Sequence, residues 1–177
     1  MPEASLPIHW TSRDGAELTM RRIRPDDFER ARTFLQTLSF GARYFRFGRG
    51  RFVYPDEELR RVCEPDPSSR EHLVVVTRVD GVERMAGSAR YVVEPDGRRC
   101  EFAVVVLDDW QHHGLGRRLM LALIDIARSH GLETMYGQVL GSNHRMLDFI
   151  QRLGFSHAPG SESRQIKTLV LPLQSAC

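Results

Sequence analysis

Apolar runs of two kinds, some alternating and some at helical spacing, mark the first half of the chain. Two short runs, 8–11 and 17–22, flank a turn containing Asp14-Gly15, which predicts a hairpin. From Pro25 the apolar side chains fall on one helical face, which predicts a helix over 25–38 that covers a sheet. Further along, the pattern predicts a short helix over 56–63 and a three-strand antiparallel meander over 72–79, 84–93 and 99–106.

Longer elements fill the second half. Apolar residues recur at helical spacing from Leu115 to Ala127, and a strand over 133–140 follows. A strand, a helix and a strand joined by a right-handed crossover form a parallel pair. Asn143 then heads a second helix that ends at Gly154, and a strand over 164–171 completes the pattern.

These elements predict an α/β (α+β) fold, a mixed and mostly antiparallel twisted sheet of about six or seven strands flanked by about four helices. The chain has 177 residues, enough for one domain with a sizeable core but not for two ordinary ones. We therefore expect a single domain over 17–177, preceded by an extension or hairpin strand over 1–16.

Composition narrows the class of protein. Lys plus Arg number 25 against 23 Asp plus Glu, so the overall charge favours neither nucleic acid nor a membrane surface. The three cysteines, Cys63, Cys100 and Cys177, form no metal or disulfide pattern. The amino-terminal residues lack the basic and apolar regions of a secretion signal, and no apolar run is long enough to span a membrane. We expect a soluble, cytoplasmic protein.

The stretch WQHHGLGRR, from Trp110 to Arg118, lies between an apolar strand and a long helix. Gly114 and Gly116 allow a sharp turn and close approach of a ligand to backbone N–H groups at the helix start. The helix dipole and the two arginines make this end positive, which suits a diphosphate, although a plain strand-to-helix turn has the same pattern. The other glycine loops are excluded, since the chain has no GxxxxGK before Ser or Thr and Leu119 breaks GxGxxG.

The residues Gln111 to Gly116 match the signature of the GCN5-related N-acetyltransferases (GNAT), namely Gln or Arg, two residues, Gly, one residue, then Gly or Ala. Asn143 and Gly154-Phe155 match a second motif. The stretches IRPDD, ARYFRF and EFAVVVLDDWQHHGLG are similar to the acetyltransferase domain of bacterial protein lysine acetyltransferases. The resemblance implies an N-acetyltransferase that uses acetyl-CoA, without a metal.

The resemblance also implies roles for individual residues. The loop amides hold the pyrophosphate, the strand end pairs with the pantetheine arm, and Asn143 bonds that arm, although Asn143 is equally suited to capping its helix. We expect the arm to lie where the parallel strands splay apart, beyond Val106 and near Val139. The residues expected to bind the cofactor are Val104, Val105, Val106, Gln111, His112, His113, Gly114, Leu115, Gly116, Arg117 and Asn143.

Acetyl transfer to an amine needs a base, because a lysine-type amine with a pKa of about 10.4 is almost fully protonated at neutral pH. Glu101 is the candidate, on the strand that leads into the loop and expected to be desolvated among Phe102, Ala103 and Val104. The alternative is a strand-end carboxylate that faces solvent. Ile150 occupies the position where many members have a Tyr that protonates the leaving thiolate, so the general acid is undetermined.

The segment 39–52 interleaves arginines with aromatic residues and has three interpretations. It could bind single-stranded nucleic acid, its aromatics could pack under a helix-loop-helix while the arginines stay solvated, or it could wall the acceptor pocket. The second is the plainest, and nucleic acid is disfavoured. The adjacent His112 and His113 lack metal-ligand spacing, so no metal is expected.

We therefore expect direct attack of an amine on acetyl-CoA in a ternary complex, with Cys100 the only thiol near enough to act as an acyl carrier instead. The acceptor could be a protein lysine or a small amine. An enclosed acidic pocket would favour a polyamine and a shallow groove a peptide. A non-catalytic acyl-CoA-binding module is the alternative function, and pairing of two copies through sheet edges is an open arrangement.

Overall fold

The structure is a computed structural model, and it describes residues 5–47, 54–160 and 163–174. Within these residues one sheet of eight strands runs in the order β1-β2-β3-β4-β5-β6-β8-β7. The strands are β1 (Ile8–Thr11), β2 (Glu17–Arg22), β3 (Arg70–Val79), β4 (Val82–Val93), β5 (Arg99–Val106), β6 (Thr134–Leu140), β7 (Ser156–His157) and β8 (Ile166–Pro172).

Five α-helices are found in the same described ranges, and they confirm the predicted α/β class. Short 3₁₀ turns at Pro25–Asp27 and Asp108–Trp110 precede two of them. The strand and helix numbers exceed the prediction because β7 has only two residues, too few for a periodic signal, and because part of the aromatic segment is helical. The helices are α1 (Phe28–Thr37), α2 (Phe40–Phe47), α3 (Asp56–Cys63), α4 (Leu115–Ser129) and α5 (His144–Arg152).

All neighbouring strands are antiparallel except β5 and β6. The first strands form the hairpin predicted around Asp14-Gly15, and β1 is thereby the edge of the sheet. The division of the chain at residues 16 and 17 remains a prediction.

Two apolar layers cover the sheet. On one face α4 buries a continuous stripe, including Leu119, Leu123 and Ile126, against the inward side chains of the strands. On the other face α1 and α3 pack on a smaller cluster that includes Phe34 and Leu59. Because alternate residues of a strand point to opposite faces, the central strands β3, β4 and β5 supply both layers.

A buried ion pair fixes the start of α1 to the sheet. Arg21 of β2 donates two hydrogen bonds, of 2.7 and 2.9 Å, to the carboxylate of Asp27, which is completely buried. Burial raises the pKa of Asp27, but the guanidinium of Arg21 and the amide of Arg24 outweigh it and hold that pKa below its ordinary value. Arg21 also bonds Glu83 of β4 at 2.8 Å, so the pair ties three elements together.

Candidate active site

The centre of the candidate site is a fork between the two parallel strands. β5 and β6 pair only at Arg99 with Thr134, Cys100 with Met135, and Glu101 with Tyr136, although both strands continue further. The prediction placed this divergence beyond Val106, which is wrong, because the strands separate directly after Glu101. The edge of β5 that carries Val104, Val105 and Val106 therefore faces the gap over most of its length.

An aromatic ring lies at the start of the fork. A Cβ added at Gly137 of β6 would lie 2.3 Å from the ring of Phe102 of β5, so the ring occupies the space that a side chain would need. Phe102 also stacks edge-on against Phe155 at 5.1 Å between ring centroids. The position after the last strand pair is thus filled by a ring packed against glycine.

The glycine loop lies at the open end of the fork. The chain leaves β5, makes the 3₁₀ turn and begins α4 at Leu115, with Gly114 in the left-handed region at φ 78° and His112 at φ 66°. The side-chain amide of Gln111 donates to the carbonyl of Val106 at 3.3 Å and to Asp108 at 3.0 Å. Gln111 therefore braces the loop against the end of β5.

The loop presents main-chain donors. Within the described part of the chain, no protein acceptor bonds the amides of residues 112–117. His112, His113 and Arg117 are exposed around them, whereas the side chain of Leu115 is buried and only its amide is available. Unpaired amides at the start of a 15-residue helix form an anion site.

The start of α5 meets this loop across the gap. Asn143 accepts a hydrogen bond from the amide of Met146 at 3.2 Å, which confirms its capping role and leaves its ligand role a prediction. Arg145, two residues later, bonds the ring of His112 at 3.0 Å. The loop and α5 thus form two walls at the mouth of the fork.

Position 150, where the resemblance would place a Tyr, lies in the core. Ile150 is completely buried, and Phe149 is the residue of α5 that approaches the glycine loop, with a ring carbon 3.4 Å from the place of a Cβ on Gly116. Neither side chain has a proton to donate. Cys100 is also fully buried, and burial raises the pKa of its thiol to about 12, which does not suit an acyl carrier.

Glu101 occupies the vertex of the fork, but not in the surroundings that we expected. It is exposed, and Phe102 and Val104 point to the opposite face of the sheet, so the expected desolvation among these neighbours is wrong. The reason is the alternation of side chains along a strand. On its own face Glu101 lies beside Tyr136, whose hydroxyl donates to Glu94 and whose pKa is raised by burial and by that bond.

A cleft that is open to solvent lies on this same face between the sheet and helices α1 to α3. Its walls from α1 and α3 are apolar, and β5 contributes Ala103 and Val105. Five polar side chains line it, namely Arg46, Tyr54, His72, Ser88 and Arg90. Only Arg46 was anticipated here, as part of the segment 39–52 that could wall the acceptor pocket, and the other four were not predicted.

His72 is a neutral residue of the cleft floor. Its Nδ1 donates to the carbonyl of Val62 at 3.2 Å, and its Nε2 accepts from the hydroxyl of Ser88 at 2.7 Å. Burial, reinforced by the nearby charge of Arg90, lowers the pKa of His72 to about 3. The imidazole is therefore uncharged across the neutral range.

In the helical part of the segment 39–52, three aromatic side chains are exposed and an arginine is turned inward, the reverse of the simplest prediction. Phe40, Tyr44 and Phe45 are 66, 42 and 41% exposed, while Arg46 and Phe47 turn into the cleft. Packing of the aromatics under solvated arginines is therefore wrong for the helix α2, and the third interpretation, a wall of the acceptor pocket, fits its described residues. The part of the segment over 48–53 lies outside the described residues.

Among the described residues, none of the helices has the length and apolarity needed to cross a membrane. In the same residues, no three His, Cys, Asp or Glu side chains are grouped as a metal site would require.

An open mixed sheet, forked at its one parallel pair and carrying an amide-rich helix start at the mouth of the fork, defines the class of acyl-CoA-dependent N-acetyltransferases. The sequence model of the acetyltransferase (GNAT) family matches residues 26–155, and the chain belongs to that family. This confirms the predicted N-acetyltransferase class, whose acetyl donor is acetyl-CoA.

Individual relatives agree with this assignment. The chain is 34% identical over 168 residues to the acetyltransferase PA5475 of Pseudomonas aeruginosa, covering 92% of this chain and 90% of the relative. The GNAT domain of S. lividans PAT superposes with a TM-score of 0.81 at 21% identity, over 97% of this chain and 99% of that one. The yncA putative acetyltransferase of Salmonella typhimurium, with its cofactor acetyl-CoA, gives 0.68 at 21% identity, over 90% and 96%. The structural likenesses show the fold.

Proposed function

We propose that the protein transfers the acetyl group of acetyl-CoA to a primary amine by direct attack in a ternary complex, with Glu101 as the general base. The observation that carries the proposal is the placement of Glu101 at the vertex of the fork whose open end is the amide loop. One end of the gap can hold phosphates and the other has a carboxylate.

On the donor side, the amides of 112–117 hold the pyrophosphate, and the pantetheine arm runs along β5 toward the vertex. The five residue steps from Val106 back to Glu101 span roughly 17 Å at about 3.3 Å per step. The main-chain groups of Val104, Val105 and Val106 on the gap side pair with the arm as an added strand would. The bound acetyl-CoA in the yncA structure supports this use of the fold.

On the acceptor side, the amine approaches from the face that carries Glu101 and the cleft. Its nitrogen attacks the thioester carbonyl carbon, the C–S bond breaks, and the proton of the nitrogen passes to Glu101. Because Glu101 is exposed, it can return that proton to water. The thiolate of coenzyme A, with a pKa of roughly 8.5, leaves without an acid from Ile150 and takes its proton from solvent.

A carboxylate beside the acceptor also distinguishes this proposal from a non-catalytic acyl-CoA sensor. A sensor needs the loop and the fork but has no use for Glu101, whereas an acetyltransferase needs a base because amines are protonated at neutral pH.

The test is thiol release from acetyl-CoA with a panel of amines, using the wild-type protein and Glu101→Gln. We expect the substitution to lower kcat by ~10² to 10⁴ with little change in the affinity for coenzyme A. Glu133→Gln is the matched control, since Glu133 lies just before β6 and pairs on the surface with Arg98. An unchanged maximal rate for Glu101→Gln from pH 6 to 9 would exclude Glu101 as the base.

A further inference from the structure

We propose that the acceptor is a small amine that also bears a carboxylate, such as an α-amino acid with an apolar side chain, and that Arg46 and Arg90 bind this carboxylate. The inference rests on the proposed function and names its acceptor. It follows from the charge, the walls and the position of the cleft beside Glu101.

Charge comes first. Arg21, Arg30, Arg32 and Arg98 each lie within ion-pair distance of a carboxylate. Arg46 and Arg90 line the cleft without such a partner among the described residues.

The contacts of these two arginines are with uncharged groups. Arg90 donates to the hydroxyl of Tyr54 at a long 3.4 Å, and Arg46 lies over the ring of Phe47 at 4.9 Å. A guanidinium taken out of water without an anion is unfavourable, so two in one cleft indicate that the anion is supplied by the ligand. Burial and the charge of Arg90 lower the pKa of Arg46 to about 10, which leaves it a cation at neutral pH.

The remaining polar groups do not compete for this role. His72 is neutral, and both of its ring nitrogens are occupied, by Val62 and by Ser88. Among the described residues, the cleft therefore has two cations without a carboxylate at ion-pair distance and has no buried acid, the opposite of the acidic pocket that would bind a polyamine. A polyamine would bring a second cation toward the guanidiniums and be repelled, and a peptide lysine has no carboxylate to pair with them.

The walls give the rest of the ligand. Phe34 and Leu35 of α1, with Leu59 and Val62 of the α3 region, form an apolar side opposite the sheet. Because the cleft is open to solvent, an aliphatic or thioether side chain of a ligand can pack against this apolar side without being enclosed.

The two arginines lie close to the proposed base, Glu101. Arg90 pairs in register with Ala103, two residues along β5 from Glu101 and on the same face. That spacing is roughly 7 Å along the strand. Glu101 is also close enough to Arg46 for its charge to influence that group. An α-amino acid, with its nitrogen two bonds from its carboxylate carbon, places the amine toward Glu101 when its carboxylate meets the arginines.

The experiment compares leucine, methionine and phenylalanine with their carboxamides and with the decarboxylated amines, alongside spermidine and a lysine peptide, in the thiol-release assay. We expect kcat/KM for the amino acids to exceed that for the amides by about 100-fold or more, since an unpaired buried charge is costly. Arg46→Met and Arg90→Met should reduce this ratio to within about tenfold by raising KM for the amino acid, with little change for the amide.

Arg78→Met is the matched control, because Arg78 is exposed at the far end of β3 and its loss should leave the ratio unchanged. The inference is overturned if amides, spermidine or the peptide match the amino acids, or if both cleft variants keep the wild-type ratio. Turnover of amines only when they lack a carboxylate overturns the inference but leaves the proposed function. Failure to acetylate any amine overturns both, and coenzyme A binding measured by calorimetry then shows whether the donor site stands.

Discussion

The proposed donor and acceptor sites on the two sides of the fork are built from different parts of the chain. On the donor side, six consecutive residues, 112–117, present main-chain N–H groups, and their side chains are mostly turned away or exposed. On the acceptor side, the cleft is lined by side chains such as Arg46, His72 and Arg90, which come from three elements far apart in the chain.

This difference indicates which site can be common to many acetyltransferases and which can determine the acceptor of one of them. A backbone cradle tolerates many side chains, because it needs only the glycines and the helix start. A side-chain cleft changes with each substitution, so Arg46 and Arg90 can specify an acceptor without altering the donor site. We therefore expect substitutions in the cleft to change acceptor binding without changing coenzyme A binding, and substitutions in the glycine loop to do the reverse.

The largest expected effect is on stability and concerns the acceptor side. Asp27→Asn leaves Arg21 buried without its main counterion and should lower the free energy of unfolding by about 3–5 kcal/mol. We expect the variant that remains folded to bind coenzyme A with unchanged Kd, because the pair holds α1 and not the glycine loop. Urea denaturation and calorimetry measure the two quantities.

Asp56→Asn is the control for this prediction, since Asp56 pairs with Arg32 at 2.8 Å on an exposed surface and should cost under about 1 kcal/mol. Equal losses for the two variants would contradict the assignment of Asp27 as an anchor.

The next effect is on the donor side. Gly116→Asp should place a carboxylate among the unpaired amides and raise the Kd of coenzyme A by about 100-fold, which corresponds to roughly 3 kcal/mol of repulsion. Gly116→Asn, of the same shape, is the control, and the nearest neighbour of an added Cβ is a ring carbon of Phe149 at an ordinary 3.4 Å. If Asp and Asn weaken binding equally, sterics and not charge explain the change.

The smallest effect is a pH dependence of stability. The folded-state pKa of His72, about 3, lies below the unfolded value of about 6.5, so only the unfolded chain takes up this proton between these values. Stability should therefore fall as pH falls through this window, by about 2 kcal/mol from pH 7 to pH 5. Asp27, whose pKa is also depressed, adds its loss only at more acid pH, below roughly 3.9.

Denaturation of His72→Gln at the two pH values isolates the contribution of the imidazole, because glutamine does not titrate there. We expect the variant to be less stable at pH 7 but to lose distinctly less stability on going to pH 5. A wild-type pH dependence in the variant would assign the effect to another group.

Sequence reasoning reached the donor side because its signals are local. The glycines of the loop and the cap at Asn143 are short-range features whose backbone consequences follow from residue type alone. The helical and strand periods of the longer elements gave the fold class for the same reason. The two-residue strand β7 has no period to detect.

The acceptor side depends on register, which the sequence does not display. Strand pairs can be assigned from sequence by counting residues outward from the hairpin between β3 and β4. This assignment fails at a β-bulge, because Val76 pairs with Met85 but Val75 pairs with Gly87. That extra residue reverses which side chains of β4 face the cleft, and it turns Ser88 and Arg90 inward. The fork at Glu101 is equally hidden, because it depends on contact between Phe102 and Gly137, residues that are 35 positions apart.

The sheet consists of two parts that are joined over a short length. In the described residues, strands β1 to β5 form one part and β6, β8 and β7 form the other, and three residue pairs between β5 and β6 join them. If the pantetheine arm binds in the gap as proposed, with hydrogen bonds to β5 and to Asn143, it connects the two parts of the sheet. We then expect the amide hydrogens at the three β5–β6 pairs to exchange more slowly when coenzyme A is bound.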